Sequence, residues 1–297
     1  MSTPKRHHFV PESYLRGFVE DDTGVLNVYD RRSDMWRRQK PKQVMVRNKY
    51  YYQHNAPDGV DKNILEKTLG ISVEPEGLKA LTKLIEMPET LDDEDTASIL
   101  NYLQLQRIRV PRQADVAKAI AKTAITHEVS KTERGRDALK HGQIKIEDSF
   151  RFDFMHIVTG MLSPYLSRMT WELIEADQGS SFITSDSPVS FINAGVLPPA
   201  DPGIGLYGTV VIYPINKRFL LLMRHPEYEV GDKGAMDVLP RGLDIEDGVI
   251  EIRKDILWSK EEVQMQNKIM LQTSQDLIVG ESKEILEGAI GKILSGN

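Results

Sequence analysis

Apolar positions along this chain change period three times, and the order of those changes predicts the architecture. Tyr14, Leu15 and Phe18 recur at helical spacing after Pro11, so residues 11–19 read as a short amphipathic helix. Asp21-Asp22-Thr23-Gly24 is a turn, followed by strands over 25–30 and 35–38. A third strand is predicted over 44–53, where Val44, Val46 and the tyrosines alternate through Arg47 and Asn48. Residues 55–59 form a loop rich in turn-forming types.

Helical spacing then takes over. Short helices are predicted over 61–69 and 76–86, and Thr90 is the natural N-cap of a longer one with Asp92 and Asp93 in its first turn. Ile99, Leu100, Leu103 and residues 105–110 supply its apolar side. Pro111 lacks the N–H that the carbonyl of Arg107 needs, so the helix ends or kinks there and resumes over 113–132. Residues 131–142 are polar and read as a loop, and 146–169 as a helix interrupted at Ser163-Pro164. Strand periodicity returns at 171–174 and 181–184, joined through 177–179, and continues at 189–192. A Gly- and Pro-rich loop spans 195–208, a hairpin pairs 209–213 with 218–223, and 225–248 is irregular and acidic. Helices over 260–279 and 281–294 close the chain.

This is an α+β order: a β-rich N-terminal unit (1–55), a helical middle (56–169), a second β-rich region with a hairpin (170–258) and C-terminal helices (259–297). With 297 residues they form one or two compact domains, and the two β-rich regions can meet in one sheet. There is no internal repeat.

Composition narrows the function classes. No apolar run approaches the ~20 residues that span a bilayer, and the start lacks the apolar core of a signal peptide, so a cytoplasmic protein with no membrane partner is expected. Cysteine is absent, which removes disulfides, thiolate nucleophiles and Cys-rich zinc sites. Any metal must therefore sit on His, Asp, Glu or Asn. The net charge of −6 hides an asymmetry. Residues 1–54 carry eleven Lys and Arg against six acids, a charge of +5, which leaves −11 for the remainder. The same segment holds eight of the 21 aromatic residues, so a nucleic acid or another polyanion is the expected partner, unless the charges of 31–42 are only a solvated hairpin surface.

Candidate chemistry gathers at the start. Lys5, Arg6, His7 and His8 run into Pro11, the first position of a helix, and so combine cations and imidazoles with a positive dipole end. Adjacent histidines on an extended segment point to opposite faces, which divides them into one structural and one functional group, with both structural as the plainer alternative. Asp186, in Thr184-Ser185-Asp186-Ser187-Pro188, is either a metal ligand or general base at a strand end, or the centre of an Asx-type turn. Arg107 either holds phosphate by its planar fork or neutralises Glu66, Glu74 or Asp186. Neither an ATP-type nor a dinucleotide-type glycine motif occurs.

Several of these strings, in order, resemble a bacterial family catalogued as domain of unknown function 4238. They are the opening Lys5 to Pro11 with Tyr14, Leu15 and Phe18, the Val28-Tyr29-Asp30-Arg31 strand, and Leu103-Gln104-Leu105-Gln106-Arg107 with Val110-Pro111. Trp171, the Phe182 to Val189 string and Tyr213-Pro214-Ile215 complete the set. The resemblance carries no activity with it. His7-His8-Phe9-Val10-Pro11 is also similar to the opening of His-Asn-His nucleases, although the glycine-bearing loop of those enzymes is missing. That similarity implies a histidine as base, a neighbouring histidine on a divalent metal, an asparagine, here Asn48, that orients the base, and a third histidine, here His54, that completes the metal site.

Two expectations result. One is a metal-dependent phosphodiesterase or nuclease using Mg²⁺ or Mn²⁺, with His7 or His8 as base and Asp186 as a catalytic group. In it His8, Glu66 and Asp186 hold the metal, and Lys5, Arg6 and Arg107 hold phosphate. The other is a non-catalytic module that binds nucleic acid or an acidic protein segment.

Overall fold

In the computed structural model the described residues are 6–54, 56–198, 200–225 and 250–291. Lys5 and most of the acidic stretch 225–248 lie outside them.

Strand β1 (Arg6–His8) leads through Pro11 into helix α1 (Glu12–Leu15), which tightens into a 3-10 turn ending at Phe18. Strands β2 (Leu26–Asp30) and β3 (Met35–Gln39) form the expected hairpin. The third strand is much shorter than predicted. Only β4 (Val46–Asn48) is extended, because Met45 and Lys49 on either side adopt left-handed φ of 53° and 51°. It pairs antiparallel with β1, placing Arg6 opposite Asn48 and His7 opposite Arg47. The tyrosines that follow belong to a turn, so Asn48 and His54 do not share a strand face.

Helices α2 (Ile64–Thr68), α3 (Glu74–Glu86) and α4 (Asp93–Ile108) follow, with a π-helical turn joining the first two. The cap of α4 is Asp92, not Thr90: its carboxylate accepts the Asp95 N–H at 2.9 Å, and Asp95 reciprocates. Pro111 opens α5 (Pro111–Ser130) at its first position, which confirms the break. Residues expected as loop form α6 (Glu133–His141), capped by Thr132 accepting the Gly135 N–H at 3.0 Å. That helix buries nothing, so no apolar stripe announced it. The interrupted helix predicted over 146–169 is two helices, α7 (Phe150–Val158) and α8 (Ser163–Leu166), the second beginning at Ser163 and the break lying at Gly160 with φ of 87°.

Strands β5 (Thr170–Ala176), β6 (Thr184–Ser185), β7 (Ser190–Ile192), β8 (Val210–Pro214), β9 (Phe219–Arg224) and β10 (Ile252–Trp258) precede helix α9 (Lys260–Thr273). Strand β11 (Leu277–Gly280) and helix α10 (Lys283–Ile290) complete the described chain. The hairpin β8–β9 is as predicted, within a five-stranded sheet of order β10-β5-β9-β8-β7. Helix α9 stops six residues early because Leu277–Gly280 is a strand, and it sits between β2 and β6 in a four-stranded sheet of order β3-β2-β11-β6. Strands from the first, third and fourth sequence segments therefore share one sheet. Strands β5 and β6, expected as neighbours, lie in different sheets.

Tyr14 links these layers. Its buried hydroxyl donates to the Pro214 carbonyl at 2.7 Å and shares a second hydrogen bond of 2.7 Å with Thr184 Oγ1, so α1 ties the end of β8 to β6. Behind it α3 and α4 cross closely at Gly77, where a Cβ would lie 2.5 Å from the Cβ of Tyr102. Alanine normally stabilises a helix interior relative to glycine by about 1 kcal/mol. Here the overpacking reverses the sign, and Gly77→Ala should lower stability by about 1–3 kcal/mol. Urea unfolding of the two proteins checks this, and an equal or higher midpoint for the variant contradicts the close crossing.

Candidate functional site

Alternation along β1 separates the two histidines, as the sequence implies. His7 is fully buried; its Nδ1 accepts the Tyr51 N–H at 2.9 Å and its ring stacks on Tyr51 with centroids 6.0 Å apart. A ring so enclosed cannot reach solvent-borne substrate, which corrects its assignment as base. His8 is half-buried, and its Nε2 is enclosed without a hydrogen-bond partner. Burial holds its pKa below the ordinary value and Arg109 adds to this, against the opposing pull of Glu12, the Pro41 backbone and Glu74.

Arg109, two residues past Arg107, is the group that organises this region. Its buried guanidinium donates to the Phe9 carbonyl (3.1 Å), the His8 carbonyl (2.9 Å) and Glu74 Oε1 (2.9 Å), and lies 5.7 Å from the Tyr51 ring centroid. Glu66 on α2 belongs to the same electrostatic neighbourhood. Its pKa is raised to about 7, chiefly by burial, with Arg109 opposing and Glu74 adding to the rise. The charges of Arg109 and Glu74 thus act on both His8 and Glu66.

Asp186 and Arg107 are not with them. Asp186 is buried, and its carboxylate accepts the N–H groups of Gln275 (2.8 Å), Asp276 (2.7 Å) and Leu277 (2.9 Å). Burial raises its pKa while the three donors lower it. The carboxylate turns the chain from α9 into β11, and Ser185 Oγ makes the local turn by accepting the Ser187 N–H at 3.0 Å. Arg107 pairs with Asp201, donates to the Val189 carbonyl at 3.1 Å and packs 4.1 Å from the Phe191 ring centroid. Its carboxylate partner is none of the three acids expected. It is buried and fully engaged, so it offers no free fork to phosphate. Among the described residues no group of three or more His, Asp and Glu is placed to hold a metal ion, so His8, Glu66 and Asp186 do not converge as ligands. No helix among them is long and apolar enough to cross a membrane. Arg6 is exposed, with Nη2 3.5 Å from the Gln43 carbonyl.

The two accessory residues, Asn48 and His54, do come together, in a place the sequence did not indicate. They line an open groove of about 910 Å³ between residues 47–54 with Ala56 and Pro57 on one side and the start of α7 on the other. Arg47 and Lys49 are exposed at its wall and lie over rings: Arg47 is 5.6 Å from Phe9 and 5.8 Å from Tyr50, and Lys49 is 5.1 Å from Tyr52. Arg151 forms the floor. It pairs with Asp148, donates to the Tyr50 carbonyl and lies 4.7 Å from the Tyr50 ring and 4.6 Å from that of Phe152. Asp148 is further neutralised by Lys118 at 3.2 Å. His54 meets Tyr52 edge-on at 4.7 Å, and His156 lines the opposite side. Burial pushes the Tyr50 hydroxyl up to about 12, so it stays protonated. The basic, aromatic character of 47–52 pointed to this wall, whereas its partner wall on α7, about a hundred residues later, carried no sequence signal.

The raised pKa of Glu66 has a measurable consequence. The folded state holds its proton to about pH 7, while the unfolded chain releases it near 4.5, so stability falls as pH rises between those values. Glu66→Gln removes that loss. The variant should match the parent near pH 4.5 and exceed it above pH 7 by about 1–2 kcal/mol, a figure reduced for solvent screening of a half-buried group. Unfolding midpoints at pH 4.5 and 8 decide it; equal stability at pH 8 contradicts the assignment.

The residues that stand out in the sequence are therefore joined inside the fold: Arg109 to His8 and Phe9, Tyr14 to Thr184 and Pro214, and Asp186 to the entry of β11. No curated protein and no solved structure matches the chain. The family model described as "Protein of unknown function (DUF4238)" matches residues 6–284, nearly the whole length, and the chain belongs to that family.

Proposed function

We propose that this protein is a non-catalytic binding module for a polyanion, which seats in the groove between residues 47–54 and α7. The observation that carries the reading is the placement of exposed Arg47 and Lys49 on an aromatic wall of an open 910 Å³ groove, in the basic part of an otherwise acidic chain. Cations resting over rings are partly desolvated while still free of carboxylates, and exchange the ring for a phosphate at little cost. Arg151 supports the wall from beneath, its charge already matched by Asp148.

A metal-dependent phosphodiesterase needs an accessible base and a converging ligand set. His7 is enclosed and the acids named for the metal are dispersed, so binding without turnover is the better-supported reading. The purified protein should bind labelled DNA, RNA or inorganic polyphosphate with an affinity that falls steeply as salt is raised, because each phosphate contact releases counterions. The Arg47→Ala/Lys49→Ala variant should bind at least about 10-fold more weakly, with a salt slope lower by about one to two. Absence of salt-dependent binding overturns the reading. So does degradation of the oligonucleotides with Mg²⁺ or Mn²⁺ that is lost in a His8→Ala variant.

A further inference from the structure

Resting on that reading, we propose that the groove takes single-stranded nucleic acid, with unpaired bases stacked on Tyr52 and Phe152 and the flanking phosphates on Arg47 and Lys49. Three features separate this occupant from a duplex or a plain polyanion. The first is shape. Duplex DNA is read by an element that enters its grooves, a helix or a two-stranded ribbon. The site here is concave, walled by a loop on one side and a helix on the other, and accepts a strand instead of entering one.

The second is the rings. Tyr52 and Phe152 are both half-buried and line the groove from opposite walls. A duplex keeps its bases stacked on each other and exposes their edges but not their faces, and polyphosphate has no bases at all. Neither gives these rings anything to bind. Unpaired bases do, because every base has a π-face, and stacking on aromatic side chains tolerates any sequence.

The third is the position of the cations. Lys49 lies on the Tyr52 ring at 5.1 Å, and its side chain is exposed and long. Moving its ammonium from the ring to a phosphate opens a face of Tyr52 to a base in the same step. Phe152 is held differently: the buried Arg151 guanidinium fixes it at 4.6 Å from beneath, which leaves the ring pre-positioned. His54, His156 and Asn48 stand around these rings with hydrogen-bonding groups that suit the edges of the bases. Asp153, an exposed acid of the α7 wall, repels phosphate and so favours passage of the strand's backbone on the Arg47 and Lys49 side.

Fluorescence anisotropy with three kinds of probe matched in number of phosphates tests the proposal on the intact protein: a mixed-sequence single strand, as DNA and as RNA, a duplex of half its length, and inorganic polyphosphate. The single strands are expected to bind about 10-fold or more tightly than duplex or polyphosphate. Tyr52→Leu and Phe152→Leu are each expected to weaken the single strand about 10-fold and leave polyphosphate unchanged, while Tyr52→Phe, which keeps the ring, binds as the parent does. Equal affinity for all three probes overturns the single-strand proposal and leaves the polyanion reading standing. Tighter binding of the duplex, or unchanged binding by Tyr52→Leu, also overturns it. Failure of every probe, at low salt, removes both. The probe comparison uses the parent protein alone, so a variant that folds poorly does not decide the outcome.

Discussion

A single buried guanidinium connects the start of this chain to its helical layer. Arg109 reaches the carbonyls of His8 and Phe9 and the carboxylate of Glu74 in one plane, and only an arginine fork has the donors to do so. Burying that charge is costly, and the cost is offset because each of the three guanidinium nitrogens finds an acceptor. With β1 held there, its antiparallel partner β4 is held too, and the turn that follows presents Tyr50 and Tyr51 inward and Arg47 and Lys49 outward. The groove wall is a consequence of this anchorage.

The residues that are most distinctive in the sequence and the residues best placed to meet a ligand are thus different sets. His7, Tyr14, Arg107, Thr184 and Asp186 are buried and satisfy one another or the backbone. They account for how segments far apart in sequence are brought together, and a family model spanning residues 6–284 covers all of them. The groove is built from ordinary surface types whose meaning lies in their arrangement. Cations on rings and a carboxylate already matched by two cations give a site with free positive charge and aromatic faces.

Local signals in the sequence were reliable where the local chain decides its own structure. Pro111 ends α4 because no tertiary contact can supply its missing donor, and the β8–β9 hairpin forms where two apolar runs flank a short turn. They failed where a distant group intervenes. Leu277–Gly280 continues an apolar pattern that reads equally as helix, and the N–H groups of Gln275, Asp276 and Leu277 are instead taken by Asp186, about ninety residues away in sequence. The predicted strand over 44–53 failed for a backbone reason, the left-handed residues Met45 and Lys49, which composition does not announce.

The sequence by itself determined the α+β order, the charge asymmetry, the absence of any thiol chemistry, and the opposite facing of His7 and the neighbouring His8 that strand alternation imposes. These depend on chain-local geometry or on counting. The tertiary structure alone decided which histidine is enclosed, that Arg107 meets Asp201 while Arg109 holds the N-terminal strand, and that Asn48 and His54 face α7 across a groove. Each of those is a contact between segments about forty to a hundred residues apart, and spacing along a chain carries no information about which distant segment will pack against it.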